Sequence, residues 1–139
     1  VKYWQNSETL FRHAIAVTKC NDTAYSNLAA ALVAKGEFDK AVALIRESLS
    51  FTSDQPVAHY NLGNIFVSQN RPAEAVKEYN EALRLKPDFP QAHNNLAGAL
   101  LMQGHRDAAV QHYEEALRLD PNHETARRQL RALGVLPPQ

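Results

Sequence analysis

The chain has 139 residues, and its 15 lysines and arginines balance its 15 aspartates and glutamates. This length allows one domain with a buried core, and a net charge of zero gives no bulk attraction to nucleic acid or to anionic membranes. The single cysteine, Cys20, excludes an intramolecular disulfide, a CxxC redox pair and a cysteine-rich zinc site, and no apolar run reaches the ~18 residues of a membrane-spanning helix.

The first predicted element is a helix within residues 1–21. Its segment SETLFRHAIAV has the register of the second half of a repeat that follows, so a leading half repeat is expected. An apolar face would then lack its covering helix, and such a face indicates truncation or an interface between copies of the chain. Truncation is favoured, since no initiating methionine or signal-type start is present. A longer parent is therefore expected, with no compartment indicated; the candidate self-association residues are Trp4, Leu10, Phe11 and Ile15.

The sequence then repeats itself every 34 residues. Residues 24–49 read AYSNLAAALVAKGEFDKAVALIRESL, residues 58–83 read AHYNLGNIFVSQNRPAEAVKEYNEAL, and residues 92–117 read AHNNLAGALLMQGHRDAAVQHYEEAL. A fixed period in this range, without insertions, predicts a stacked helical array. The positions that hold one residue type in all three copies are Ala24/Ala58/Ala92, Asn27/Asn61/Asn95, Leu28/Leu62/Leu96, Ala41/Ala75/Ala109, Val42/Val76/Val110 and Leu49/Leu83/Leu117.

Each copy is predicted to be a helix A, a tight turn and a helix B, because apolar residues recur at helical spacing on both sides of a short break. Gly36, Asn70 and Gly104 fall at that break, where a left-handed residue ends a helix. Asp22, Asp54 and Asp88 each lie just ahead of a predicted helix A and are expected to cap it. After the third copy, a final helix is expected from residue 124 to 133, capped by Asn122 and ended by Gly134.

These features resemble the tetratricopeptide repeat. The small residues of that family match Ala29/Gly63/Ala97, Ala41/Ala75/Ala109 and Ser48/Ala82/Ala116, and its closing proline matches Pro87 and Pro121. The resemblance implies an all-α, right-handed helical-repeat solenoid with three full repeats, a leading helix and a C-terminal capping helix. The expected units are residues 1–21 (leading helix), 22–55, 56–89 and 90–123 (repeats), and 124–139 (capping helix and tail).

The three predicted A helices, residues 23–34, 57–68 and 91–102, contain no Asp, Glu, Lys or Arg. Since the resemblance implies that A helices line a concave face, that groove is expected to be neutral. An amide both donates and accepts hydrogen bonds, so the three recurring asparagines could hold the backbone of an extended peptide; they could equally bond only to neighbouring helices. The candidate peptide-binding residues are Asn27, Asn61, Asn95, Tyr60, Asn64, Asn94, Val33, Val67, Leu101 and Gln91.

Two finer resemblances accompany this prediction. The recurring asparagines and the connection LKPDFP, residues 85–90, are similar to the repeats of O-linked N-acetylglucosamine transferase. The lead-in WQNSETLFRHAIAVT resembles the start of repeat arrays that follow membrane-embedded glycosyltransferase-like domains in some bacterial proteins. Both remain resemblances of short segments.

The sequence thus predicts a non-catalytic scaffold that binds a protein or peptide, with self-association of a larger enzyme or membrane protein as the alternative. Clamping of an acidic tail needs cations on the A helices, and RNA binding needs a basic groove; neither is present. No phosphate loop, nucleophile elbow or paired acids indicate an enzyme, and no cofactor is implied. His59 and His93 hold equivalent positions without metal-ligand spacing, and His105, His112 and His123 appear scattered.

Overall fold

A computed structural model describes residues 22–139; the predicted leading helix, with Trp4, Leu10, Phe11 and Ile15, lies outside the described residues. From residue 22 onward the fold is all-α, with seven helices and no strand. The helices are α1 (Asp22–Ala34), α2 (Phe38–Phe51), α3 (Pro56–Ser68), α4 (Pro72–Leu85), α5 (Pro90–Met102), α6 (Arg106–Leu119) and α7 (Glu124–Ala132). In residues 22–139, no helix combines the length and apolar character that crossing a bilayer requires.

The turn inside each copy has the predicted backbone. Gly36, Asn70 and Gly104 have φ angles of 77°, 56° and 80°, which confirms a left-handed residue at each break. The N–H of Glu37 donates to the carbonyl of Leu32 at 2.9 Å, and equivalent bonds close the other two turns. This pairing satisfies carbonyls that the helix end leaves free, so each copy turns sharply between its two helices.

The expected carboxylate caps of α3 and α5 are wrong. The N-cap residues of α3 and α5 are Gln55 and Phe89, and neither makes a side-chain capping bond. The prolines that follow them are the first residues of the two helices, where the missing N–H costs nothing. Asp54 and Asp88 therefore lie one residue too early to cap.

The last helix is also capped differently from the prediction. His123, not Asn122, is the N-cap of α7, and its Nδ1 accepts a hydrogen bond from the N–H of Ala126 at 3.3 Å. Gly134 follows the helix with φ 75°, as predicted. Helix α7 begins 34 residues after α5 and so occupies the place of a fourth helix A.

Small and large side chains alternate in the core, so neighbouring helices interlock. Each helix contacts the next, and α1 also contacts α3 as α3 contacts α5. We call the surface made by α1, α3, α5 and α7 the A-helix wall. The recurring small residues with no exposed surface are Ala41, Ala75, Ala82, Ala92, Ala97, Ala109 and Ala116. The largest fully buried side chains are Tyr79, Phe66, Leu28, Leu32, Leu62, Leu96 and Leu130.

The junction between the first two copies is polar inside. Gln55, 8% exposed, lies where the next junction has Phe89. Its Oε1 accepts from the hydroxyl of Ser48 at 3.1 Å, and its Nε2 donates to the carbonyls of Ser48 and Thr52 at 3.2 and 2.6 Å. Helices α2 and α3 contact each other less than α4 and α5 do. One buried amide therefore links the first two copies where an aromatic ring links the next two.

Candidate functional site

Two crevices of the A-helix wall lie along the recurring asparagines, and a third, at the N-terminal ends of α1 and α3, includes Asp54. The first crevice lies between α1 and α3, has a volume of about 240 Å³, and is lined by Ser26, Ala29, Ala30, Val33, Ile45, Asn61, Asn64, Ile65 and Ser68. The second crevice lies between α3, α5 and α7, has a volume of about 320 Å³, and is lined by Asn64, Val67, Tyr79, Asn94, Asn95, Gly98, Ala99, Met102, Tyr113, Thr125 and Gln129. Neither lining includes Asp, Glu, Lys or Arg.

The predicted peptide-binding residues divide between these crevices. Three of the predicted residues, Val33, Asn61 and Asn64, line the first crevice. Asn64 also lines the second crevice, together with Val67, Asn94 and Asn95. Asn27 and Gln91 are exposed and line neither crevice. Tyr60 and Leu101 are half-buried and pack against the core. Six of the ten predicted residues are therefore brought together on two adjacent surfaces.

Asn95 is hydrogen-bonded to the neighbouring helix. Its Nδ2 donates to the hydroxyl of Tyr60 at 3.1 Å and to Oδ1 of Asn64 at 2.8 Å. Its Oδ1 accepts from Nδ2 of Asn94 at 3.0 Å. Both N–H groups of this amide are thus used between α3 and α5, which leaves one acceptor position on Oδ1 for any other contact.

Asn61 differs from Asn95 although the two occupy the same position in successive copies. The Asn61 side chain is half-buried, lines the first crevice and has no hydrogen-bond partner among the described residues. Asn94 has one unpartnered atom, since its buried Oδ1 accepts no hydrogen bond while its Nδ2 is engaged. Unused amide capacity therefore lies at Asn61 in the first crevice and at Asn94 Oδ1 in the second.

Tyr79 connects the hydrogen-bonded amides of Asn64, Asn94 and Asn95 to the core. Its hydroxyl donates to Oδ1 of Asn64 at 2.7 Å, and its ring is 1% exposed. Burial, with a smaller contribution from Tyr60, raises the pKa of Tyr79 well above its ordinary value. Burial also raises the pKa of Tyr113. Both phenols therefore stay protonated at neutral pH and remain hydrogen-bond donors.

Several residues of the second crevice were not predicted from the sequence. Tyr79, Tyr113 and Gln129 line it, as does Met102, which is 45% exposed. The 34-residue period could have identified two of them, because Tyr113 follows Tyr79 by one period and Gln129 follows Asn95 by one period. Gln129 thus extends the series of amides onto α7.

His112 is not isolated, contrary to the prediction. Its Nδ1 lies 3.1 Å from Nδ1 of His93, and the two rings stack at 5.3 Å between centroids. Nε2 of His93 lies 3.1 Å from the carbonyl of Pro87. A carbonyl only accepts, so this nitrogen donates, and in the neutral ring Nδ1 of His93 accepts from Nδ1–H of His112. Burial, and then the charge of His93, lowers the pKa of His112.

The equivalent pair one copy earlier is His59 and Glu78. Nδ1 of His59 lies 2.7 Å from a carboxylate oxygen of Glu78. These side chains join helices A and B of one copy, away from both crevices. Among residues 22–139, no group of three or more His, Cys, Asp or Glu side chains is placed to hold a metal ion.

Comparison with known proteins agrees with the repeat pattern. Two family models, both described as tetratricopeptide repeat, match residues 20–88 and 60–124. A search of curated proteins gave no significant match.

Solved structures share the fold. The first tetratricopeptide-repeat domain of Spaghetti (RPAP3), bound to the HSP90 peptide SRMEEVD, is 20% identical with a TM-score of 0.77, covering 81% of this chain and 89% of that one. MamA is 15% identical with a TM-score of 0.77, covering 92% and 77%. YrrB, described as having an unusual peptide-binding site, is 16% identical with a TM-score of 0.76, covering 89% and 64%. At these identities the likeness establishes the fold alone.

Proposed function

Because this chain belongs to the tetratricopeptide-repeat family, we propose that it is a non-catalytic scaffold that binds an extended peptide or a partner helix along the A-helix wall. Structural neighbours are described with bound HSP90 and HSP70 peptides, which supports a protein or peptide as the partner. The proposed repeat units are residues 22–55, 56–89 and 90–123. The observation that carries the proposal is the lining of the two crevices, which holds amides, hydroxyls and apolar groups without one ionic side chain.

The proposed ligand is uncharged where it contacts the wall. The peptides of the two RPAP3 complexes both end in EEVD and carry several carboxylates. Binding such a segment needs Lys or Arg for charge-assisted hydrogen bonds. Burying a carboxylate against these crevices would leave it unpaired, which is costly. A neutral ligand avoids that cost.

The unused amide of Asn61 defines how the ligand backbone is held. Asn61 offers a donor and an acceptor at the first crevice. These groups can pair with peptide N–H and C=O groups whatever the ligand's side chains are. Exposed Asn27 would extend the contact, whereas Asn95 would act mainly by positioning Asn64 and Asn94. The similarity of the asparagines to those of O-linked N-acetylglucosamine transferase repeats supports this mode of binding.

The test is the salt dependence of binding. Short random peptides displayed on phage are selected on the chain, and the selected peptides are labelled and titrated by fluorescence anisotropy at about 50 mM and about 500 mM sodium chloride. We expect uncharged peptides, with affinities that change less than about twofold between the two conditions. Selection of acidic peptides whose affinity falls steeply with salt would contradict a neutral groove.

Matched variants connect that binding to the amides. Asn61→Ala should weaken a selected peptide while leaving the thermal midpoint unchanged. Asn80→Ala, at an exposed position on α4 away from the A-helix wall, should change neither. Equal peptide affinity in Asn61→Ala and in the unsubstituted chain would remove Asn61 from the proposal.

Self-association through Trp4, Leu10, Phe11 and Ile15 stays the alternative prediction, since these residues lie outside the described part of the chain. The similarity of the lead-in to repeat arrays of bacterial membrane glycosyltransferase-like proteins is compatible with such a role in a larger parent. Sedimentation velocity at several concentrations distinguishes the two functions, because only self-association shifts the sedimentation coefficient with concentration.

A further inference from the structure

The first and second crevices differ in residue type at one repeated position that lines both of them. Ile45 on α2 is followed at 34-residue intervals by Tyr79 on α4 and Tyr113 on α6. In the second copy, the Tyr79 ring lies against Gly63 on its own helix A, and its hydroxyl reaches Asn64. In the third copy, the Tyr113 hydroxyl approaches Gly98, the equivalent of Asn64. Each tyrosine therefore crosses from helix B to the A-helix wall.

Isoleucine cannot make that crossing, because it ends well short of the position of a phenol oxygen. The buried Ile45 forms the base of the first crevice, and Ala29 and Ala30, the equivalents of Gly63 and Asn64, form one side. Asn61 and Ile65 of α3 form the other side. The second crevice is the counterpart of the first one copy later, and Tyr79 lines it where Ile45 lines the first, so the first crevice lacks a ring that its counterpart has in its wall.

We propose that the first crevice is a specificity pocket for one aromatic side chain, Phe or Tyr, of the bound peptide. This inference rests on the proposed peptide-binding function and names the side chain that the groove selects. The bound ring takes the place of the ring that Ile45 lacks, in a position like that of Tyr113, because the position of the Tyr79 ring requires Gly63 and the first copy has Ala29 there.

The size and chemistry of the crevice agree with this occupant. Its volume of about 240 Å³ is below the ~300–1,000 Å³ typical of small-molecule sites and suits one side chain. Its base and sides are apolar at Ile45, Ala29 and Ile65, which favours burial of a ring. The free amide of Asn61 lies where it can pair with a tyrosine hydroxyl or with the peptide backbone. No lining residue is charged, so a charged side chain has no partner there.

The direct test uses p-cresol, which is the side chain of tyrosine, as the probe. It is titrated into the ¹⁵N-labelled chain while amide chemical shifts are recorded. We expect shifts grouped at Ala29, Ala30, Val33 and Ile65, with a dissociation constant on the order of 1–10 mM for so small a ligand. Shifts spread equally over the second crevice would overturn the inference.

The decisive variant is Ile45→Tyr, which fills the crevice from inside. The third copy indicates that the chain accommodates this change, since it has Tyr113 together with Ala97, the equivalents of positions 45 and 29. A Cβ added at Gly98, the equivalent of Ala30, would lie 3.8 Å from the Tyr113 hydroxyl, an ordinary contact. We expect the thermal midpoint to be kept and p-cresol affinity to fall at least about tenfold.

Two further variants keep the test conclusive. If Ile45→Tyr fails to fold, Ala30→Leu closes the crevice from its exposed rim and should have the same effect on p-cresol. Tyr113→Ile is the reciprocal change and should create new shifts at Gly98 and Ala99. Unchanged p-cresol binding in a folded Ile45→Tyr or Ala30→Leu variant would refute the pocket.

The outcomes also separate this inference from the peptide-binding proposal. Selected peptides rich in Phe or Tyr, with affinity lost in Ile45→Tyr, support both. Uncharged peptides that bind Ile45→Tyr as well as the unsubstituted chain support the groove and refute the pocket. Specific p-cresol binding without any selected peptide supports the crevice as an aromatic site and counts against the groove.

Discussion

Replacing Gly63 by alanine tests the packing that distinguishes the second copy from the others. Gly63 lies within α3, and a Cβ added there would lie 2.6 Å from Cδ1 and 2.8 Å from Cζ of Tyr79, and nearer still to Cε1. Carbon atoms in contact are ordinarily about 3.5–4.0 Å apart. The ring therefore has to retreat by about 1 Å, although it is 1% exposed and its hydroxyl is bonded to Asn64.

The cost follows from three contributions. Overpacking of a core typically costs about 1–3 kcal/mol, and loss of the hydrogen bond from Tyr79 to Asn64 adds about 0.5–1.5 kcal/mol. Alanine in place of glycine within a helix raises the free energy of unfolding by about 0.5–1 kcal/mol through its higher helix propensity. Gly63→Ala should therefore lower the free energy of unfolding by about 1–3 kcal/mol, which corresponds to a thermal midpoint roughly 4–12 °C lower.

The chain supplies its own control at Gly98, where an added Cβ would meet only the Tyr113 hydroxyl at 3.8 Å. Gly98→Ala should therefore raise the free energy of unfolding by about 0.5–1 kcal/mol through helix propensity alone. Urea unfolding followed by circular dichroism measures both variants. In a Tyr79→Ile background, which copies Ile45, Gly63→Ala should become stabilising. A cost that persists without the tyrosine ring, or equal effects at the two glycines, would refute this account.

The remaining predictions concern polar contacts. Gln55→Ala should lower the free energy of unfolding in urea by about 1–3 kcal/mol, because it leaves buried polar groups of Ser48 unpaired. Gln55→Phe combined with Ser48→Ala should restore most of that stability. If it does not, the junctions at Gln55 and Phe89 are not interchangeable. Asn95→Ala should lower the free energy of unfolding by about 1–2 kcal/mol, and Asn61→Ala should lower it by less than about 0.5 kcal/mol. Equal losses would contradict the assignment of Asn95 as the hydrogen-bonded amide and Asn61 as the free one. The pKa of His112 is lowered below 6.5 in the folded chain by burial and by His93, so stability should be full above about pH 6.5 and fall with acidification below it. His112→Leu, matching Leu44, should reduce that pH dependence in thermal unfolding, and an unchanged profile would exclude His112 as its source.

Much of the fold follows from local sequence signals. The 34-residue period predicts the helices, because small and large apolar residues at helical spacing can only be buried by stacking one copy on the next. Gly36, Asn70 and Gly104 predict the turns, since a left-handed residue is needed there. The N-caps were misplaced because the prolines that open α3 and α5 put the cap one residue later than the aspartates.

The absence of Asp, Glu, Lys and Arg from residues 23–34, 57–68 and 91–102 was also readable from the sequence, because residue type alone determines charge. The different roles of Asn61 and Asn95 were not, since the same residue at the same repeat position is free in one copy and bonded in the next. That difference depends on Tyr60 and Asn64, which lie 35 and 31 residues before Asn95 and meet it only when α3 packs against α5. The first crevice likewise appears only after packing, because its lining comes from α1, α2 and α3 together. Period, helices and charge are thus local properties of the chain, whereas the bonded amides and the crevices depend on which side chains neighbouring helices bring within reach.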